Sequence, residues 1–422
     1  MKRIFVCLLA MCLLLTGCTG KKTGGLDLME TVEVPTQSKE FITIGHDVPE
    51  TFDPQTDEPW DNALIGDFGI RLFRASFEEK KNTLISPYSV LAGLAMTANG
   101  AEGETLTQME AVLGQSRGAL NSWYKFGTVE DNVLHLANGI WFKDDPGLTV
   151  NDGFLLTNAE CFGAGLYKAP FDETTLSDIN SFVEEHTDGM VRNILNEIPD
   201  EAVMYLVNAL AFDAQWQETY KENQVHEAVF TTEDGREQDI ELMYSEENWY
   251  LENDQATGFI KPYKTDNKRY AFAALLPKEG VTVKELVEGL DGKQMQSFLA
   301  NPQKVMVNAA LPKFEAEYDV KMNEVLKSMG MTDAFDSGLA DFSGLGTSAD
   351  GNIYLSSVIH KTFISVAEKG TKAGAATVVE AACESAVEME IKRVTLDRPF
   401  LYMIVDTTSN TPIFIGTMMD MQ

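Results

Sequence analysis

The sequence predicts an α+β fold in one large domain, on three observations. Segments with helical spacing and segments patterned as strands are mixed without a regular βαβ rhythm, which argues against a doubly wound parallel sheet. The 422 residues are 44% hydrophobic and 9% aromatic, enough for a sizeable core. No internal repeat and no second linker interrupts the body of the chain, so one large domain is favoured over two.

In chain order, residues 1–17 read as a secretion leader. Lys2 and Arg3 precede an apolar run from Ile4 to Leu15 that is short for a membrane span. Leu15-Thr16-Gly17-Cys18 resembles a bacterial lipobox, which implies cleavage before Cys18 and a lipid on its sulfur and amine. An ordinary leader with a chance cysteine is the alternative. Buried lipid contributes about 0.8 kcal/mol per CH₂, so the protein is expected outside the cell, anchored by lipid alone on the outer face of a bacterial membrane. Residues 18–58, with Gly, Thr, Lys, Pro and Asp and little periodicity, read as a flexible tether that leaves room for a short strand around Phe41–Ile44.

The folded domain is expected over residues 59–422. Leu64, Ile65, Phe68, Leu72 and Phe73 recur at helical spacing, and Leu84–Ser86 reads as a brief strand. Ser86 as N-cap and Pro87 at the first position start a second helix that runs to Asn99–Gly100. A third helix covers Gly103–Leu113, stopped by Gly114. Leu134–Trp141 alternates as a strand, while Val150–Thr157 and Asp178–His186 read as helices. Val203–Phe212 suits a strand buried on both faces. Gly258–Pro262, Tyr270–Leu276, Lys304–Leu311 and Thr362–Glu368 read as strands, and Val320–Met329 as a helix closed by Gly330. Phe400–Val405 and Ile413–Met418 form a C-terminal strand pair.

Charge and motifs narrow the chemistry. A net charge of −32 repels phosphate backbones and heparin-like polyanions, so nucleic acid is not an expected partner; solubility alone accounts for the acidity. Cys7, Cys12 and Cys18 lie in the N-terminal segment, and only Cys161 and Cys383 fall in the body. That is no disulfide framework and no metal spacing, and it leaves either one bridge or two free thiols. There is no Walker loop, His-Glu-x-x-His, Gly-x-Ser-x-Gly or suitably placed Ser-x-x-Lys, and Gly370-Thr371-Lys372-Ala373-Gly374 lacks phosphate-loop spacing. No catalytic residue, cofactor or metal is therefore expected, and the chain does not read as an enzyme.

The most unusual stretch is Val366–Glu390, which is small and free of proline. Alternate residues Thr371, Ala373, Ala375, Thr377, Val379, Ala381 and Cys383 are all small and uncharged, whereas the opposite set carries Lys372 and Glu380. Strand side chains alternate between faces, so one face is fit for burial although the glycines and alanines give weak strand propensity. Such a segment suits a loop in one state and a strand in another.

Taken together, several motifs in order resemble the serpins, the serine protease inhibitor superfamily, over nearly everything from Pro59 onward. They are Ile85-Ser86-Pro87-Tyr88-Ser89-Val90, Ala98-Asn99-Gly100-Ala101-Glu102-Gly103-Glu104-Thr105, Val207-Asn208-Ala209-Leu210-Ala211-Phe212 with Trp216, and Leu311-Pro312-Lys313-Phe314. Further on come Met329-Gly330-Met331-Thr332-Asp333-Ala334-Phe335, Ala340-Asp341-Phe342-Ser343-Gly344 and His360-Lys361-Thr362-Phe363. Glu368-Lys369-Gly370-Thr371, Asp397-Arg398-Pro399-Phe400 and Phe414-Ile415-Gly416 complete the set.

The resemblance implies three β-sheets with about eight to nine surrounding helices and an exposed reactive-centre loop. It implies a monomeric suicide-substrate inhibitor of serine, or cysteine, endopeptidases. The protease cuts the loop, which inserts as an extra strand of the main sheet and traps the acyl-enzyme; serpin loop insertion is itself a standard example of strand addition. Glu368, Gly370, Thr371, Ala373, Ala375, Ala376 and Thr377 would be the hinge. Counting from Gly370, the reactive bond falls at Glu384–Ser385, which suggests a glutamate-preferring protease, while the small flanking residues suit an elastase-like one. Ser86, Ser89, Asn208, Trp216 and His360 match the shutter and breach, where the sheet opens. Cys383 beside the bond reads as a small side chain, with a redox handle as the alternative. In Gln115–Asn132 the chain is shorter than the family pattern, which puts helix content there in question. The competing reading is a non-inhibitory member acting as a surface binding or scaffold protein.

Overall fold

A computed structural model describes residues 26–27, 57–127, 133–199, 202–265, 269–371 and 391–422. Its first half contains β1 (Leu26–Asp27), α1 (Asn62–Ser76), β2 (Thr83–Ile85), α2 (Pro87–Ala98), α3 (Gly103–Leu113), α4 (Arg117–Ser122), β3 (Leu134–Lys143), β4 (Leu148–Val150), α5 (Asp152–Phe162), β5 (Gly165–Ala169), α6 (Glu173–His186), β6 (Met204–Phe212) and β7 (Ala214–Gln215). The second half adds β8 (Val225–Thr231), β9 (Glu237–Glu247), β10 (Trp249–Glu252), β11 (Ala256–Pro262), β12 (Tyr270–Pro277), α7 (Val283–Glu288), α8 (Gly292–Ala300), β13 (Met306–Pro312), β14 (Phe314–Lys321) and α9 (Asn323–Ser328). β15 (Gly346–Ser348), β16 (Ile359–Ala367), β17 (Gly370–Thr371), β18 (Ile391–Thr395), β19 (Phe400–Asp406) and β20 (Thr411–Met418) complete it.

Local sequence explains the helices that matter to the site. α2 begins where the Ser86 hydroxyl accepts from the Ser89 amide and Pro87 occupies the first turn. It is buried almost all round, as a central helix must be. α6 is amphipathic and capped by the Asp172 carboxylate; its Ile179, Phe182 and Val183 pack on Trp141 and Val207, so it lies across the face of β3 and β6.

The central sheet, β10-β11-β12-β19-β20-β2, is antiparallel, and its strands β12, β19 and β20 are buried on both faces. One face packs on α1 and α2 and the other on a cluster that includes Trp216, Tyr263 and Phe314. Another sheet runs β18-β13-β9-β8, and β4 pairs with β15. The remaining sheet, termed the main sheet, is hydrogen-bonded as two halves, β1-β5-β3-β6 and β14-β16-β17-β7. β6 and β16 lie side by side, yet among the described residues no ladder joins them.

Several boundaries differ from expectation for identifiable reasons. Leu148–Val150 pairs with Gly346–Ser348, so the helix expected at Val150–Thr157 starts only at Asp152. Val320 pairs with His360 in β14, which delays the helix expected at Val320–Met329 to Asn323. The helix expected at Asp178–His186 begins at Glu173, one residue after its cap. Gln115–Asn132 holds α4 and a π-turn at Trp123–Gly127. Within the expected tether, Leu26–Asp27 pairs with Tyr167–Lys168 on the edge strand β5, whose outer backbone groups are open to a partner. The stretch around Phe41–Ile44 lies outside the described residues.

Candidate functional site

The site is the seam between β6 and β16, with a different set of contacts at its middle and at its upper end. At the upper end, Gly370 and Thr371 form a two-residue strand wedged between β16 and β7, pairing Thr371 with Val366 on one side and with Ala214 on the other. Gly370 sits at φ +155°, and a Cβ there would lie 2.1 Å from the Ala214 carbonyl oxygen. Only glycine fits so close an approach. Thr371 is 1% exposed, and its hydroxyl is 2.6 Å from the Tyr263 hydroxyl.

The segment after β7 grips the turn that leads into β17. The Trp216 indole N–H donates to the Ala367 carbonyl at 2.8 Å, the Trp216 amide to Lys369 O and the Tyr220 amide to Glu368 O, both at 2.9 Å. Trp216 stacks on Tyr263 with ring centroids 4.5 Å apart and planes 13° apart. Glu368 pairs with Lys313 at 2.6 Å, and Lys313 also reaches Glu241 at 2.8 Å. Burial pushes the Glu368 carboxyl up, but the Lys313 ammonium and the local backbone outweigh it and hold the group below its ordinary range.

Under the middle of the seam the contacts are neutral. The Ser86 amide donates to His360 Nε2 at 3.0 Å, and the Ser86 hydroxyl donates to Ile413 O at 2.9 Å. The Ser89 hydroxyl donates to Asn208 Oδ1, Asn208 Nδ2 donates to Asn138 Oδ1, and Asn138 Nδ2 donates to Phe162 O at 3.1 Å. All five side chains are buried. Burial alone pushes the His360 imidazole down to about 3, so it is neutral and accepts through Nε2. A cavity of about 30 Å³ adjoins this network, lined by Ser89, Asn208 and His360.

The structure thus brings together Ser86, Ser89, Asn208 and His360 at one point, and Trp216, Glu368, Gly370 and Thr371 at another. Cys18, Ala373, Ala375, Ala376, Thr377, Cys383, Glu384 and Ser385 lie outside the described residues. Cys161 is a free thiol whose burial pushes it up to about 11. Sequence reasoning did not single out Tyr263, Tyr220, Lys313 or Asn138. Lys313 lies in Leu311-Pro312-Lys313-Phe314, and Asn138 is a lone amide within a strand that reads as buried, which is a usable signal. Among the described residues no cluster of three or more His, Cys, Asp or Glu is arranged to hold a metal.

Comparison with known proteins agrees with this architecture. Residues 63–421 match the family model described as Serpin (serine protease inhibitor), and the chain belongs to the serpin family. It is 43% identical to tengpin, a thermophilic serpin solved in its native state, with a TM-score of 0.82 and coverage of 94% of this chain and 99% of that one. An uncharacterized serpin-like protein of Thermococcus kodakarensis is 30% identical over 84% of each chain. Plasminogen activator inhibitor 1 of Sus scrofa is 29% identical over 85% of this chain and 92% of its own length.

Proposed function

We propose that this protein is a suicide-substrate inhibitor of serine endopeptidases that works by inserting its own cleaved loop into the main sheet. The observation that carries the reading is β17: Gly370 and Thr371 already occupy the top of the seam, with Thr371 buried between β16 and β7. The loop that follows has a small, uncharged alternate set from Ala373 to Cys383. It needs only to continue the same register, zipping β6 and β16 apart as it goes.

The energetics favour that continuation once the loop is cut. Cross-strand pairs contribute roughly 0.2–1 kcal/mol each, on top of about 25 cal/mol per Å² of apolar burial. A full strand therefore releases on the order of 10 kcal/mol or more. The native state is held by kinetics rather than by its free-energy minimum. The protein contributes no catalytic group: the protease supplies the nucleophile and is carried along as its acyl-enzyme when the strand moves. The reactive bond is Glu384–Ser385, and the target is a glutamate-preferring or elastase-like protease. The inhibitor domain is residues 59–422, monomeric, and tethered by residues 18–58 from a lipidated Cys18 on the outer face of a bacterial membrane once the 1–17 leader is removed.

Mixing with a glutamyl endopeptidase or an elastase tests this. The expected result is a complex that survives SDS, with a released fragment whose N-terminus is Ser385. Cleavage of the loop by a panel of serine proteases without any such complex would overturn inhibition and favour a binding role.

A further inference from the structure

A cavity near the hinge lies between the Gln215–Lys221 segment and the β18-β13-β9-β8 sheet. It measures about 960 Å³. Its lining includes Trp216 and Tyr220, whose amides hold the turn before β17, and Arg393 of β18. It therefore touches two elements that bracket the reactive loop.

Its charge is out of keeping with the rest of the chain. The protein has 65 acidic and 33 basic residues. Here Lys221, Lys264 and Arg393 line one cavity, and among the described residues none forms an ion pair. Glu218 and Glu246 line the same cavity without pairing to them. A fourth cation, Lys261, is 2% exposed. Its ammonium lies 2.8 Å from the Glu247 carboxylate and 4.4 Å from the Tyr220 ring centroid. That buried pair fixes a polar floor below aromatic walls. Exposed cations held apart from local carboxylates, over a rigid polar floor, form a receptor for an external anion.

We propose that this cavity binds a small multivalent organic anion, carrying carboxylate or phosphate groups, that bridges Arg393 on β18 to Lys221 and Lys264 beside the hinge. A monovalent anion satisfies one cation; a multivalent one spans the two walls. Because the ligand needs both walls in place, occupancy favours the conformation in which β18 stays on β13 and the 215–221 segment stays on the hinge. Binding does not depend on the protein being an inhibitor, so it is measured without a protease.

The test uses the full chain and two probes, citrate for carboxylates and pyrophosphate for phosphates, titrated by calorimetry against sodium chloride of equal ionic strength. At least one probe is expected to bind with a one-to-one stoichiometry, and Lys264→Ala/Arg393→Ala to weaken it by about tenfold or more. Lys293→Ala, outside the cavity, should leave it unchanged. Bound probe should also slow amide hydrogen exchange over Ile391–Thr395. Binding of neither probe beyond the chloride control, or binding untouched by the double variant, overturns the site. Binding with no change in exchange at β18 overturns the bridge. Citrate alone or pyrophosphate alone identifies the headgroup.

Discussion

Midway along the seam, Ser86, Ser89, Asn208, Asn138 and His360 hold the strands by neutral hydrogen bonds with almost no exposure. At the upper end, Trp216, Tyr263, Lys313 and Glu368 combine stacking, main-chain bonds and an ion pair whose carboxylate side chain is 37% exposed. The difference has a physical consequence. In a buried network of neutral groups, breaking one hydrogen bond leaves a buried donor or acceptor to be satisfied again at a cost. At the upper end only the Lys313–Glu368 pair is partly solvated, whereas Trp216, Tyr263 and Thr371 are buried. On the proposed insertion mechanism, the middle would set how hard the sheet is to open and β17 at the upper end where opening starts.

The largest predicted effect comes from charging the leading strand. Thr371→Arg puts a guanidinium where 1% of the side chain is exposed and removes the hydroxyl paired with Tyr263. Burying an unpaired charge costs several kcal/mol, so β17 should leave the sheet and insertion should stall. Protease should then cut the loop at an unchanged rate while the SDS-stable complex disappears. A variant that still forms the complex would break the assignment of β17 as the leading end.

The middle is tested by acid. His360 is neutral in the folded protein, with its pKa pushed down to about 3 from an ordinary 6.5. Between those values the unfolded chain binds more protons than the native one, so stability falls as pH drops from 6.5 toward 3 and is fully present above 6.5. The loss attributable to this one group is on the order of 4 kcal/mol at the acid end. Denaturant unfolding across that window measures it. His360→Gln, a neutral acceptor at every pH, should lower stability at pH 7 and flatten the slope below pH 6. A slope unchanged by the variant would show that the middle is not titrated through His360.

How much of this was readable from residue types differs between the two ends. Ser86 as cap and Pro87 at the first turn declare the start of α2, and the cap residue is also a network member, so local chemistry pointed at the site. The alternation from Thr371 likewise follows from strand geometry alone. What was not legible depends on distant pairing. Nothing near Tyr263 marks it as the partner of Thr371, 108 positions away. β9 alternates apolar and polar residues imperfectly and carries many acidic residues, so it does not announce itself as a strand; it is held by pairing with β8 and β13. Val320 has helical neighbours and became strand because His360 pairs with it. The division of the main sheet into two ladders is equally a property of the assembled state rather than of any segment.

The smallest predicted effect sharpens the contrast. Glu368→Gln removes one side of an ion pair whose carboxylate side chain is 37% exposed, which is worth about 1 kcal/mol or less. For a chain of this size that lowers the unfolding midpoint by only about 1 °C. The Glu368 carboxyl is held below its ordinary range in the native state, so its contribution is present above that range and is lost as pH falls through the lowered value. Salt should separate the two ends. Raising ionic strength to about 1 M shortens the screening length to about 3 Å, so wild type should approach the variant in stability, whereas the cost of acid at His360, a desolvation effect of its burial, should persist. If high salt instead erased the pH slope and left the Glu368→Gln difference intact, the assignment of neutral chemistry to the middle and ionic chemistry to the upper end would be reversed.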